Sequence, residues 1–127
     1  MAASTESSVT VETLKALVAA FNDHDLDRTM TFFSDDAVLE MPRGTSPWGT
    51  RATGHEEVRR ALATRFAGIP DVHYGSDRHL VCGDRGVSEW TLTGTLNGKP
   101  VEIWGCDLFE FSAGKISRKN SYWKITE

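Results

Sequence analysis

Cysteine is scarce in this sequence. Cys82 and Cys106 are the only two in 127 residues, and they lack C-x-x-C spacing. That excludes a disulfide-stapled framework and a zinc ribbon, and the pair reads as reduced, mostly buried thiols of a cytoplasmic protein. Long apolar runs are missing too: none approaches the ~20 residues of a membrane-spanning helix. The segment Met1 to Ser8 has neither a basic nor an apolar stretch, so it is not expected to be a signal peptide. Residues 1–8 read as a disordered tail and 9–127 as a single domain. Basic clusters are absent. Fourteen Lys and Arg are interspersed with eighteen Asp and Glu, for a net charge of −4. Nucleic-acid affinity and binding to anionic membranes both rest on clustered positive charge, so neither partner is expected. No histidine pair has HxH or HExxH spacing, so no metal is expected. G-x-S-x-G, P-loop and G-x-G-x-x-G signatures are also lacking, which removes serine hydrolase, nucleotide triphosphatase and dinucleotide-cofactor chemistry.

What is present is periodic. Thr10 can cap a helix whose apolar stripe is Leu14, Leu17, Val18 and Phe21, the i, i+3, i+4, i+7 pattern of one buried helical face. Asn22-Asp23-His24 breaks it. Asp25 caps a second helix carrying Leu26, Met30 and Phe33, and Asp35-Asp36 is expected to end it. Ala37 to Met41 reads as a short strand and Pro42 to Thr53 as an irregular loop. Thr53 and Glu56 have capping-box spacing before a third helix that buries Val58, Ala61, Leu62 and Phe66. Gly68 and Pro70 stop it.

Strands fill the second half. Asp71 to Cys82 is β-prone, Val87 to Leu96 alternates, and Asn97-Gly98 is a strong hairpin signal because a type I′ turn needs positive φ at both positions. Val101 to Phe111 and Lys115 to Thr126 complete the set. Helices followed by hairpins imply an α+β domain with the helices on one face of an antiparallel sheet. Period 2 puts Val101, Ile103, Gly105, Asp107, Phe109 and Phe111 on one face, and Trp104, Cys106 and Leu108 on the other. The first face is the more apolar and should meet the helices. Asp107 is therefore a carboxylate expected on the apolar side.

This order of elements resembles the nuclear transport factor 2-like superfamily, and within it the SnoaL-like group that includes polyketide cyclases. The carrying residues are Phe32-Phe33-Ser34-Asp35-Asp36-Ala37-Val38, Glu40-Met41-Pro42, Gly54, Gly105 through Phe111, Gly114-Lys115-Ile116 and Tyr122-Trp123, over roughly residues 9–125. The resemblance implies a cone-shaped curved antiparallel sheet with three N-terminal helices on its concave face, enclosing a pocket for a small apolar molecule. It says less about the reaction, since one fold hosts many functions. Asp107 matches the sheet carboxylate that is the general acid/base of the aldol cyclases and an oxyanion donor in ketosteroid isomerase. Met41 stands where the isomerase has its base, Leu17 where it has its tyrosine, Leu96 where the cyclases have a histidine, and Ser121 where an epoxide hydrolase of this fold has a carboxylate. Ketosteroid isomerisation and limonene-type epoxide hydrolysis are therefore not expected. His73-Tyr74-Gly75 resembles the segment bearing the catalytic histidine of hexachlorocyclohexane dehydrochlorinase, with Asn22 in place of the aspartate that orients it.

The expected catalytic residues are thus Asp107 and His73. The expected pocket wall is Trp90, Leu92, Ile103, Phe109, Trp123, Phe33, Met41, Leu17, Asn22, Lys119 and Ser121, around a cavity of roughly 300 Å³ or more. Lys119 is alternatively a simple ion-pair partner of Asp107. Trp48 and Arg43, in the loop before the third helix, could form a lid. His24 and His55 read as solvated. A cofactor-free lyase, isomerase or cyclase working by proton transfer on a small apolar or aromatic substrate is one reading; a non-catalytic ligand-binding or dimerisation module is the other. Trp104, Cys106, Leu108 and Tyr122 form an apolar stripe on the outer sheet face, expected to pair two copies as a homodimer.

Overall fold

The computed structural model describes residues 8–127. The expected tail lies outside the described residues, apart from the exposed Ser8. Helix α1 spans Val11–Asn22 and opens as expected: Thr10 Oγ1 accepts the N–H of Thr13, and Thr13 Oγ1 accepts the N–H of Thr10 in return. Asp25 Oδ1 likewise accepts the N–H of Arg28 to start α2, Leu26–Met30.

That second helix is shorter than expected. Phe33 leaves the helical stripe and opens strand β1, Phe33–Glu40, so Asp35 and Asp36 are exposed strand residues and not a helix end. Phe33 pairs with Ile116, and the register shifts between Phe33 and Val38, where the two aspartates face water. The Pro-Gly loop holds a short strand, β2, Arg51–Thr53, paired with β1. Thr53 is consequently a strand residue and cannot cap α3, His55–Gly68. Gly54 takes the capping position at φ 91°, and the Thr53 N–H donates to Glu57 Oε1 at 3.0 Å. Glu56 makes no capping box.

The remaining strands are β3 His73–Cys82, β4 Arg85–Leu96, β5 Lys99–Ser112 and β6 Lys115–Trp123. They form one curved, open six-stranded sheet in the order β2-β1-β6-β5-β4-β3. Its pairs are antiparallel except β1–β6, which is parallel and sets the N-terminal strand between β2 and the C-terminal strand. The Asn97-Gly98 turn has φ 52° and 78°, as its sequence demands.

Alternation on β5 holds. Asp107, Phe109 and Phe111 are buried, while Trp104 and Leu108 are exposed. Leu14, Leu17, Met30, Phe33, Leu39, Val58, Leu62, Phe109 and Ile116 belong to one hydrophobic cluster between helices and sheet. Ile69, Val72, Trp90 and Leu92 make a second toward the open end of β3 and β4. Both cysteines are free thiols, but neither is buried: Cys82 is exposed and Cys106 half-buried. No helix among the described residues is long and apolar enough to cross a membrane.

Candidate functional site

Asp107 lies on the inward face of β5, paired in register with Ser88 of β4 and Ser121 of β6. It is only 6% exposed. A buried carboxylate needs donors, and three converge on it. Trp90 Nε1 donates to Oδ2 at 2.9 Å, and Ser121 Oγ donates to Oδ1 at 2.5 Å. The Lys119 ammonium sits 3.3 Å from Oδ1 and donates to Ser121 Oγ at 3.1 Å. Trp90 reaches this position because Gly105, its register partner, has no side chain. A Cβ there would stand 2.6 Å from the indole and 2.5 Å from the Tyr122 carbonyl oxygen.

Beside the carboxylate is a cavity of about 40 Å³ walled by Leu17, Phe21, Phe33, Tyr74, Trp90 and Phe109, with Lys119, Ser88 and Thr29 as further polar lining. It is far smaller than expected, because aromatic rings fill the space: Tyr74 lies edge-on to Trp90 at 4.8 Å and to Phe21 at 5.4 Å. Burial pushes the Tyr74 phenol well above its usual range; the nearby Arg65 charge pulls it part of the way back, and the charge of Asp107 adds a smaller upward push. The Tyr74 hydroxyl is therefore neutral.

Several expected residues go elsewhere. His73 is exposed on the outer face of β3, its ring against Gly75, and the inward residue of that segment is Tyr74. The structure does not bring His73 to Asp107. Asn22 orients no histidine. Its Nδ2 donates to the Tyr74 carbonyl at 2.9 Å and its Oδ1 accepts the Tyr74 N–H at 2.8 Å, so it fastens α1 to β3. Leu92 is core. Ile103, Trp123 and Arg43 line a separate surface groove, and Met41, Trp48, Ser121 and Trp123 another. Trp48 is no lid over the cavity: the Arg51 guanidinium stacks over its ring at 4.4 Å. Trp123 is covered by Arg65 at 4.5 Å. The ring nitrogens of His24 and His55 both reach backbone carbonyls, of Val72 at 3.2 Å and Met30 at 3.0 Å.

Sequence reasoning missed the polar residues on β3 and β4. His79 and Asp77 face inward beside Ser88 although Tyr74, an odd number of positions away, also faces inward. A bulge between Gly75 and Arg78, with Ser76 at φ 51°, supplies the extra residue that makes this possible. The signal was Gly75-Ser76 inside a strand pattern.

No curated protein matches the chain by sequence. Solved structures share its fold. A candidate polyketide cyclase from Pseudomonas putida KT2440 superposes with a TM-score of 0.81, at 20% identity over 91% of each chain. A protein of ketosteroid isomerase-like fold from Catenulispora acidiphila, crystallised with trimethylamine, gives 0.79 at 22% identity over 92% of this chain and 88% of that one. TerC, crystallised with polyporic acid, gives 0.76 at 21% identity over 90% of each. Residues 14–119 match the family of SnoaL-like domains, and with its open cone of sheet around an inward carboxylate the chain belongs to that family.

Proposed function

We propose that this chain is a cytoplasmic, cofactor-free enzyme, a lyase, isomerase or cyclase, that moves a proton on a small apolar or aromatic molecule, with Asp107 as the proton acceptor. The observation that carries the reading is a carboxylate buried at an aromatic cavity and bonded only as an acceptor, by Trp90, Ser121 and Lys119. Its placement fits a positioned general base, which must reach the proton it removes. Lys119, on the cavity wall, is placed to steady negative charge on the substrate as the proton leaves. Two fold relatives crystallised with small organic molecules support small-molecule chemistry in this cone. A substrate larger than a few atoms must displace Phe21 or Tyr74, since the resting cavity is about 40 Å³.

That small volume also favours a second reading, a binding or dimerisation module that kept the cone and lost the chemistry. The experiment that separates the two is α-proton exchange of nitroethane and 2-tetralone in D₂O, followed by NMR. On the enzymatic reading the protein accelerates exchange, and Asp107→Asn lowers the rate by about 10²-fold. No acceleration with either probe favours the module. Stability does not separate them: Asp107→Leu strands the Trp90 and Lys119 donors and is expected to cost about 1–3 kcal/mol on both readings.

A further inference from the structure

Beside Asp107 on the same sheet face stands a second polar chain. Ser88, 1% exposed, lines the cavity and is the register partner of Asp107. Its Oγ lies 2.7 Å from Nδ1 of His79, and Nε2 of the same ring lies 2.7 Å from Oδ2 of Asp77. The His79 side chain is 1% exposed and that of Asp77 30%. A continuous line of hydrogen bonds thus runs from the cavity wall through a dry imidazole to water. The donor inventory assigns the hydrogens. With the carboxylate ionised and the ring neutral, the carboxylate only accepts, so Nε2 carries the ring hydrogen toward Asp77, Nδ1 accepts, and the Ser88 hydroxyl donates to it. Arg78 and Glu89, each next in sequence to a member of the line, pair with each other at 2.7 Å, both side chains exposed, and stay outside it.

We propose that Asp77, His79 and Ser88 form a proton relay between solvent and the Asp107 cavity, with Ser88 the second residue that exchanges a proton with the substrate. The proposal rests on the proton-transfer reading and adds to it a route to water. In the outward direction the substrate proton bonds to Ser88 Oγ, and the substrate atom keeps the electron pair. The original hydroxyl proton of Ser88 passes at the same time to His79 Nδ1. The imidazolium so formed is held by the Asp77 carboxylate, and the Nε2 proton leaves to water along Asp77, which leaves the ring as its Nδ1–H tautomer until an inward transfer restores the hydrogen on Nε2. The inward direction reverses each transfer. Both ring nitrogens are engaged, one toward the cavity and one toward solvent, so the line is unbroken at the imidazole.

The test is the same exchange of nitroethane and 2-tetralone in D₂O, with Ser88→Ala, His79→Gln, their combination, and Asp107→Asn. Ser88→Ala and His79→Gln are each expected to lower kcat by about 10²-fold with KM unchanged. The double variant should fall little below either single one, because the two act as a unit. If Asp107→Asn loses exchange while Ser88→Ala and His79→Gln keep wild-type rates, the relay is wrong and the proton-transfer reading stands. If the wild type exchanges neither probe, the reading fails and the relay falls with it. Should His79→Gln fail to fold, ¹⁵N NMR of the wild type decides: a hydrogen on Nε2 with Nδ1 as acceptor is expected, and the Nδ1–H tautomer overturns the assignment.

Discussion

Asn22 and Tyr74, on α1 and β3, are joined by two hydrogen bonds in which one side-chain amide satisfies both backbone groups of the tyrosine. This pairing mimics a strand edge and fixes the depth at which the Tyr74 ring enters the cavity. Asn22→Ala leaves a half-buried N–H and C=O without partners, and is expected to cost about 1–3 kcal/mol in urea unfolding. Asn22→Asp is expected to be destabilising as well. It keeps the acceptor for the Tyr74 N–H but sets a carboxylate against the Tyr74 carbonyl. An Asn22→Asp variant as stable as wild type would show that the amide is not the fastening.

Glu40 gives a pH-dependent prediction. It is 1% exposed, on the face of β1 opposite Leu39. Arg51 donates to its Oε2 at 2.9 and 2.7 Å, and Arg118 donates to its Oε1 through both Nε and Nη2. Burial pushes the Glu40 carboxyl up, but the hydrogen bonds and charges of Arg118 and Arg51 outweigh it and hold the group below its ordinary 4.5. A lowered folded pKa means that this stabilisation is fully present above the unfolded value and is lost as pH falls through the folded one. The urea midpoint of the wild type should therefore drop as pH is lowered below the ordinary glutamate value of 4.5. Glu40→Gln should start lower, because two guanidinium groups lose their carboxylate, and should fall less steeply. Parallel curves for the two proteins would rule out Glu40 as a source of the pH dependence.

Much of this was readable from the sequence because it depends on local chemistry. Thr10 and Asp25 cap where short polar side chains should, and the Asn97-Gly98 turn follows from φ alone. Asp107 faces inward because β5 keeps an unbroken period of 2 through that residue. Legibility ended where one residue changed the period or where a partner came from far along the chain. The bulge at Ser76 reverses the faces on either side of it, so Tyr74 and not His73 points inward. Glu40 is a buried acid only because Arg118 arrives from a strand 78 positions away. Phe33 fits a helical stripe by spacing, yet pairing with Ile116 places it in the sheet.

The outer face of the sheet carries a prediction about assembly. Trp104, Leu108 and Tyr122 are 60%, 41% and 52% exposed on adjacent strands, with the half-buried Cys106 among them. Neighbouring large apolar side chains on an open sheet mark a partner surface, and a second copy of the chain is the expected occupant through a two-fold axis. Sedimentation at micromolar concentration should give a dimer, and Trp104→Lys with Leu108→Glu should give a folded monomer. A wild-type monomer at that concentration removes the idea.

The bulge itself can be tested by deletion. Register on β3 runs Gly75↔Thr91 and then Arg78↔Glu89, three steps along one strand against two along the other. Ser76 sits in the gap at φ 51°, a left-handed conformation that costs a non-glycine residue about 1 kcal/mol or more. Ser76→Gly should therefore stabilise the protein slightly or leave it unchanged, and keep the His79–Ser88 contact. Deleting Ser76 makes the two strands equal in length and leaves Tyr74 an even number of positions from His79, so period 2 alone then places both on the inward face. The deletion should therefore be tolerated, with stability in urea unfolding within about 1 kcal/mol of wild type, since it also removes the left-handed residue. Histidine ¹⁵N shifts should show His79 still bonded to Ser88. A deletion variant in which His79 turns to solvent, or in which the Asn22–Tyr74 bonds break, would mean that the bulge does not set the faces of β3.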